Sequence, residues 1–355
     1  MGLPNIIINF KSTGTTAIKR GERGIVAIVL KDSSNNGFEE LENIKEIPEG
    51  LSEANKKYIE RAFIGGINPP RKVVIYVLSE EAEDYSAAYS HLETVKFDYI
   101  VGAPDMSSEL ATAMATWVKS QREEFDKKIK AVLPSTVSDH EGIINFDTNS
   151  IKIKDETLTT AQFCSRIAGL IAGTPLDVSC TFTILPEVID IPRKTISQVS
   201  ADIDSGKFVL YHDGEKVRVA RGINSLTTVN ADKGKELKKI KVVDIIDLIH
   251  YDIRKTTHDD FIGKFPNSYD NKCLLVTAIK DYFTQLENEN ILEKDSSIIE
   301  IDLAAQEEYL KKNGVDTSSM SEQEIKSANT GDKIFFKSSI KPLDAIEEVT
   351  INVSI

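Results

Sequence analysis

The chain has 355 residues, of which 41% are hydrophobic and 28% charged, a balance typical of an ordered globular protein with a sizeable core. The 56 Asp and Glu outnumber the 43 Lys and Arg and give a net charge of -13, which argues against nucleic acid as the main partner. The three cysteines are too few for a disulfide framework or a zinc site, and we expect neither a signal peptide nor a membrane span.

The N-terminal half of the chain alternates strand patterns with helix patterns. The first buried strand is "GIVAIVL", and Ser52 is placed to cap the helix that follows it. Later strand patterns are "KVVIYVL", "FDYIVGAP", "IKAVLP" and "GIINF", and the helical patterns between and after them are "EDYSAAYSHLETVK", "SELATAMATWVKSQREEFDKK" and "TTAQFCSRIAGLIAG". This alternation predicts an α/β domain, and we expect "VSCTFTILPEV" to add a further strand.

A hairpin and a helix-rich region follow. The Asp213-Gly214 pair between two strand-like runs predicts a β-hairpin within residues 207–221. Two long helical patterns, residues 240–265 and 270–292, then lead to a strand "SIIEIDL", a short helix "AAQEEYLKKNG" and a strand "DKIFFKSSIKP". We therefore predict four segments: an N-terminal linker arm (1–22), an α/β domain with a mixed sheet (23–233), a smaller C-terminal α+β domain (234–341) and an extended C-terminal β-arm (342–355).

The sequence carries no motif for catalysis or nucleotide binding. It has no G-x-G-x-x-G after a strand, no G-x-x-x-x-G-K-[ST] and no G-x-S-x-G, and "VLSEEAED" places acids where a phosphate loop needs glycines. The acidic pair Asp202 and Asp204 and the cluster from His258 to Asp260 are the kind that turns and helix ends produce without a metal. We assign no catalytic residue, no metal ligand and no cofactor, although a site assembled from distant segments stays open.

The two chain ends carry the most unusual pattern. Apolar residues alternate there with polar ones, at Ile6, Ile8, Phe10, Val349, Ile351, Val353 and Ile355. An extended strand would place each apolar set on one face. Burying four Val and Ile side chains contributes about 6–12 kcal/mol, whereas ordering seven backbone residues costs about 7–14 kcal/mol. Such a strand therefore needs the ladder hydrogen bonds of an existing sheet.

A terminal strand of this kind can be an edge strand of its own domain, or it can add to a sheet of another molecule. The linkers "KSTGTTAIKRGERG" and "PLDAIEEV" favour the second, because both let a strand leave its parent domain. Two donor arms on one subunit imply head-to-tail contacts, which produce rings or open filaments. A polymer subunit is our main hypothesis. An α/β enzyme of unknown activity with ordinary edge strands is the alternative, and a binding module of fixed oligomeric state is a third.

The chain also resembles the tail sheath proteins of contractile phage tails and phage-tail-like bacteriocins, particularly the short sheaths of Gram-positive prophages. The resemblance covers essentially the whole length and is carried, in the expected order, by "GERGIVAIVL", "RIAGLIAGTPLDVSCTFTILPEV", "DGEKVRVARGINSLTTV", "FIGKFPNSYDNKCLLVTAIKDYFTQLE" and "IKPLDAIEEVTINVSI". It implies an outer α/β sheath domain, a C-terminal domain near an inner tube, and a sheath that contracts to drive the tube through a target cell envelope without catalysis.

The resemblance also implies how subunits would join. The alternating residues at both ends would be strand donors, and the acceptor would be a neighbour's sheet that contains Ile298, Ile299, Ile301, Ile334, Phe335, Phe336 and Ile340. Expected partners are further copies of the chain, the inner tail tube protein, and baseplate and tail terminator proteins, with no nucleic acid and no membrane insertion. The particle would be assembled in the bacterial cytoplasm and released as a virion tail or a phage-tail-like particle. Residues 304–312, or "SEQEIKSAN" after them, would face the tube.

Overall fold

The computed structural model describes residues 17–34, 37–230 and 233–354, which form two compact units. The α/β unit comprises Glu22–Leu248 and residues 344–354. The α+β unit comprises residues 17–21 and Ile249–Leu343.

The strands and helices of the α/β unit follow the predicted alternation. In chain order, its strands are β1 Ile25–Lys31, β2 Gly37–Leu41, β3 Lys72–Leu78, β4 Tyr99–Val101, β5 Lys130–Pro134, β6 Ile143–Phe146, β7 Ile151–Ile153, β8 Thr157–Leu158, β9 Val188–Asp190, β10 Lys207–Phe208, β11 Leu210–His212 and β12 Val217–Val219. Its helices are α1 Glu53–Ile64, α2 Ser86–Leu92, α3 Ser108–Glu123, α4 Thr160–Ala172, α5 Ile196–Asp204 and the first part of α6 Ile240–Thr256. The Ser52 side chain caps α1, as predicted.

Seven strands form one mixed sheet in the order β10-β6-β5-β4-β1-β3-β2, which confirms the predicted fold class. The strand pairs are parallel except β2 with β3. Helices cover both faces: alternate residues of β1, beginning at Val26, pack with α1 and α4, and the others, beginning at Ile25, pack with α2 and α3. This two-sided burial explains why "GIVAIVL" is apolar throughout. Gly169 lets α4 touch α1, because a Cβ there would lie 1.9 Å from the Ala62 carbonyl oxygen.

A buried ionic network attaches the start of α6 to this sheet. Lys130 Nζ lies 3.1 Å from Asp244 Oδ1 and 2.7 Å from Asp247 Oδ2. Arg122 donates to both oxygens of Asp247 at 2.9 and 3.0 Å, and Arg23 pairs with Asp244. Burial raises the pKa of Asp247, but the two cations outweigh it and hold that pKa below its ordinary value. The α/β unit ends inside α6, at Leu248, and the domain junction at 233/234 stays a prediction.

Two sequence predictions for this unit need correction. "VSCTFTILPEV" forms a strand only at Val188–Asp190, plus a single β-bridge between Ile184 and Arg218. Phe182 has a φ of 58°, which interrupts the extended backbone of that segment. The hairpin does turn at Asp213-Gly214, but it joins β11 to β12, and β10 pairs with β6 in the large sheet.

The α+β unit contains the second part of α6, a wider helical turn at Thr257–Phe261, α7 Tyr269–Asn288, β13 Ile298–Ile301, α8 Leu303–Lys312, α9 Glu322–Ser327 and β14 Phe336–Ser339. The predicted helix over 240–265 thus changes its winding after Thr256. Strands β13 and β14 pair antiparallel, and α7 packs against β13. At the other end of the unit, Gly21 N–H donates to Asp252 at 2.7 Å and Arg20 pairs with Glu289 at 2.6 Å.

Candidate functional site

The last described residues, 349–354, form an exposed segment that we call the donor segment. It belongs to none of the sheets formed by the described part of the chain. Val349, Ile351 and Val353 are 72%, 76% and 78% exposed, so the apolar set that alternation predicted faces solvent. The described donor segment is therefore not an edge strand of its own unit. The remaining predicted donors, Ile6, Ile8, Phe10 and Ile355, lie outside the described residues.

The residues just before the donor segment are held on the α/β unit. Asp344 pairs with Lys239, and the Arg221 guanidinium lies 2.9 Å from Glu347 Oε2. Glu347 is the residue that sequence reasoning missed, because "PLDAIEEV" has the composition of a free linker and nothing in it separates Glu347 from Glu348. The donor segment therefore leaves the unit from a fixed point.

The predicted acceptor is a real two-stranded sheet, shorter than expected. Four of the predicted acceptor residues lie in its strands, Ile298, Ile299, Ile301 and Phe336, and three flank β14, Ile334, Phe335 and Ile340. The ladder extends a little further, because Asp302 N–H donates to the Phe335 carbonyl at 2.9 Å. After β14, Leu292 bridges Pro342, and Leu343 N–H donates to the Ile291 carbonyl at 2.9 Å. Pairing in this unit therefore continues to its last residue.

The two faces of this sheet differ. Ile301 is buried and Ile299 half-buried on the face that α7 covers. Ile298 is 57% exposed on the other face, where Glu300 pairs with Lys337 at 3.1 Å. A third strand with one apolar face could place that face in the same layer as Ile299 and Ile301.

Both outer edges of this sheet are open within the described residues. The sheet has only β13 and β14, so one side of each strand pairs with no other described strand. Unpaired backbone groups along an edge are a template for an added strand, and two strands without a third are marginally stable. An exposed segment with one apolar face and a sheet with open edges are the two features that strand addition requires.

Two buried cysteines and the surface carboxylate of Asp202 show no sign of catalytic activation. Burial raises the pKa of the Cys180 thiol to about 12 and that of the Cys164 thiol further. The Asp202 carboxylate lies 2.7 Å from Lys194 Nζ and 3.6 Å from Lys207 Nζ, so two lysines neutralise its charge. Across the described ranges, no group of three or more His, Cys, Asp or Glu is arranged to hold a metal ion. No helix in those ranges is long and apolar enough to cross a membrane.

Comparisons with known proteins match both units. Residues 80–225 match the phage tail sheath protein central domain, and residues 232–355 match the phage tail sheath C-terminal domain. The tail sheath protein of Clostridium phage phiCD119 is 39% identical over 357 residues, which cover 99% of each chain.

Solved structures share the fold across the same length. The crystal structure of the sheath tail protein from Desulfitobacterium hafniense has a TM-score of 0.75 at 20% identity, over 99% of this chain and 100% of that one. The helical sheath of the anti-feeding prophage in its contracted state, determined by cryo-EM, has a TM-score of 0.74 at 14% identity, over 100% of this chain and 99% of that one.

Proposed function

The chain belongs to the phage tail sheath protein family and is a structural subunit of a contractile tail, and we propose that its donor segment joins copies of it into the sheath. The family is structural and not enzymatic, so the enzyme alternative is abandoned. In the proposed arrangement, each subunit gives residues 349–355 to the β13–β14 sheet of another subunit. The residues around Ile6 to Phe10 are the proposed counterpart at the other end.

Two observations on the same chain carry this proposal: Val349, Ile351 and Val353 are exposed to solvent, and the β13–β14 sheet has open edges among the described residues. Adding the segment to a sheet would bury its apolar face and supply ladder hydrogen bonds together. Apolar burial or ladder hydrogen bonds alone would not offset the entropy lost when a free strand is ordered, which costs about 1–2 kcal/mol per residue. Because donor and acceptor are different surfaces, the contact is head-to-tail and propagates into a helical array.

Contraction follows from the same contacts. We propose that each subunit moves as a rigid body when the sheath changes from one helical array to another, and that the exchanged strands keep neighbouring subunits connected, as in other interface-switching transitions.

The proposed partners are the inner tail tube protein, which the sheath surrounds and drives through a cell envelope, and the baseplate and tail terminator proteins at its ends. The anti-feeding prophage sheath and baseplate, which share this fold, support that arrangement. The four predicted segments, with arms at 1–22 and 342–355 and domains at 23–233 and 234–341, remain our proposal for how the chain divides these tasks.

Negative-stain electron microscopy tests strand donation. The full chain and a variant that ends at Glu348 are purified and examined over the same concentration series. We expect tubes or long helical assemblies from the full chain and folded monomers from the variant. Tubes from both chains would refute donation by the C-terminal segment, and discrete oligomers that do not grow with concentration would favour a binding module.

A further inference from the structure

One carboxylate at the root of the donor segment is buried although its neighbours are exposed. The Glu347 side chain is 8% exposed, whereas that of Glu348 is 84% exposed and Ile346 is 89% exposed. Burying a charged group is costly unless it is paired and hydrogen-bonded, so a buried carboxylate in an exposed segment needs a built receptor.

The receptor supplies both carboxylate oxygens with partners. Thr181 Oγ1 donates to Glu347 Oε1 at 2.6 Å. Arg221 Nε donates to Oε2 at 2.9 Å, and Lys239 Nζ lies 3.7 Å from the same oxygen. Charge-assisted hydrogen bonds of this kind are stronger than bonds between neutral groups. The Glu348 carboxylate lies further from its cation, at 3.4 Å from Arg221 Nη2.

The receptor hydroxyl has further hydrogen-bond neighbours besides Glu347. Thr181 Oγ1 accepts the Gly222 N–H at 2.9 Å and lies 2.9 Å from Ser179 Oγ. Ser179 Oγ also lies 3.3 Å from Glu347 Oε1, so two hydroxyls are within hydrogen-bond distance of the same carboxylate oxygen. Gly222 permits this close approach of two loops, because a Cβ there would lie 2.8 Å from Cys180 Sγ.

We propose that Glu347 is the positioning residue for strand donation, and that its receptor fixes where the donor segment begins. This inference rests on the proposed function. With Glu347 held, the free chain starts at Glu348, one residue before Val349, so little of the chain remains to be ordered when the strand docks. Without that contact, the residues back to the Asp344–Lys239 pair gain freedom that docking must remove. Glu347 acts through the donor segment and does not itself contact the acceptor.

The test compares Glu347→Ala with Glu348→Ala, which removes the same side chain one position away. We expect Glu347→Ala to raise the critical concentration for assembly roughly ten- to a hundredfold, because docking must then also order the residues that the contact held in place. Glu348→Ala should change it by less than about threefold. Thr181→Val, which removes only the receptor hydroxyl, should also raise the critical concentration, by a smaller factor than Glu347→Ala.

Two further readouts separate positioning from folding. Hydrogen exchange in the monomer should accelerate at residues 345–348 in Glu347→Ala and not in Glu348→Ala. A synthetic peptide "VTINVSI" should bind the chain that ends at Glu348 with the same affinity whether or not it carries Glu347→Ala, because the acceptor is unchanged. Equal critical concentrations for Glu347→Ala and Glu348→Ala would overturn this inference and leave strand donation standing. Full assembly by the chain that ends at Glu348 would instead overturn strand donation itself.

Discussion

Strand β1 is paired on both sides, with β3 and β4, and is covered on both faces by helices. Among the strands that the structure describes, β13 pairs with β14 alone, and α7 covers one of its faces. The first arrangement satisfies every interaction that a strand can make within the subunit. The second leaves backbone groups and an apolar layer that another strand can complete. The same chain thus contains a sheet whose interactions are complete within the subunit and, among the described residues, a sheet with open edges, which we propose serves assembly.

Charged side chains on the strands do not account for this difference. On edge strand β2, Glu39 and Glu40 are exposed, and Glu40 pairs with Lys72 of β3 at 2.6 Å. In the two-stranded sheet, Glu300 pairs in the same way with Lys337 at 3.1 Å. The contrast between the two sheets therefore lies in their strand pairing and coverage, not in cross-strand ion pairs.

The largest expected effect comes from a charge on the apolar face of the donor segment. Ile351→Asp would bury an unpaired carboxylate on docking and should abolish assembly at any accessible concentration. Asn352→Asp is the matched control, since it adds the same charge to the opposite face and should assemble with a modest loss. Sedimentation velocity measures both, and equal behaviour of the two variants would contradict a strand with one buried face. Monomer stability should not change, because Ile351 is 76% exposed.

The next largest effect is expected in the α/β unit, at the ionic network around Asp247. Asp247→Ala removes the carboxylate that buried Arg122 and Lys130 share and should lower the free energy of unfolding by about 3–5 kcal/mol. Glu22→Ala breaks the exposed Glu22–Arg71 pair and should cost less than about 1 kcal/mol. Urea denaturation measures both, and a similar small loss in the two variants would show that the network does not stabilise this unit.

A smaller effect depends on pH. Burial raises the pKa of Asp32, but hydrogen bonds from Ser52 and Asn55 outweigh it and lower that pKa to about 2. A folded pKa below the unfolded value of 3.8 stabilises above pH 3.8, and this stabilisation disappears as the pH falls towards about 2. We expect Asp32→Asn to lose about 2 kcal/mol at neutral pH and to converge with the unmodified chain in acid. A pH-independent difference in urea denaturation would contradict the assignment.

The smallest expected effect is on the stability of the β13–β14 sheet. Glu300→Lys places two like charges opposite each other across β13 and β14 and should destabilise this sheet by about 0.2–1 kcal/mol. Hydrogen exchange should accelerate in both strands while the large sheet is unaffected. Restoring the pair with Lys337→Glu in the same chain should return the exchange rates to their original values, and failure to do so would exclude a charge effect.

Local sequence patterns predicted most of the helices and strands, because capping residues and apolar alternation act within a few residues of the helix or strand that they define. The Ser52 cap lies beside the residues it stabilises, and the donor alternation at Val349, Ile351 and Val353 needs no distant contact to be recognised. The acceptor sheet was predicted with strands slightly too long, since apolar residues continue past the ends of β14.

Several structural features could not be predicted from the local sequence pattern, and two of them depend on contacts between residues far apart in the chain. Asp244 and Asp247 join the α/β unit through cations that precede them by more than a hundred residues. Glu347 differs from Glu348 only through a receptor built around Thr181 and Arg221. The strand expected around Phe182 is interrupted by a backbone angle that its alternating side chains do not reveal.

A cryo-EM map of the assembled full-length chain, at a resolution that traces individual strands, tests strand donation most directly. We predict that residues 349–354 lie along the open edge of the β13–β14 sheet of a different subunit, with Val349, Ile351 and Val353 in the layer that α7 covers. A map in which these residues pack on their own subunit, or in which that sheet keeps only two strands, would contradict strand donation.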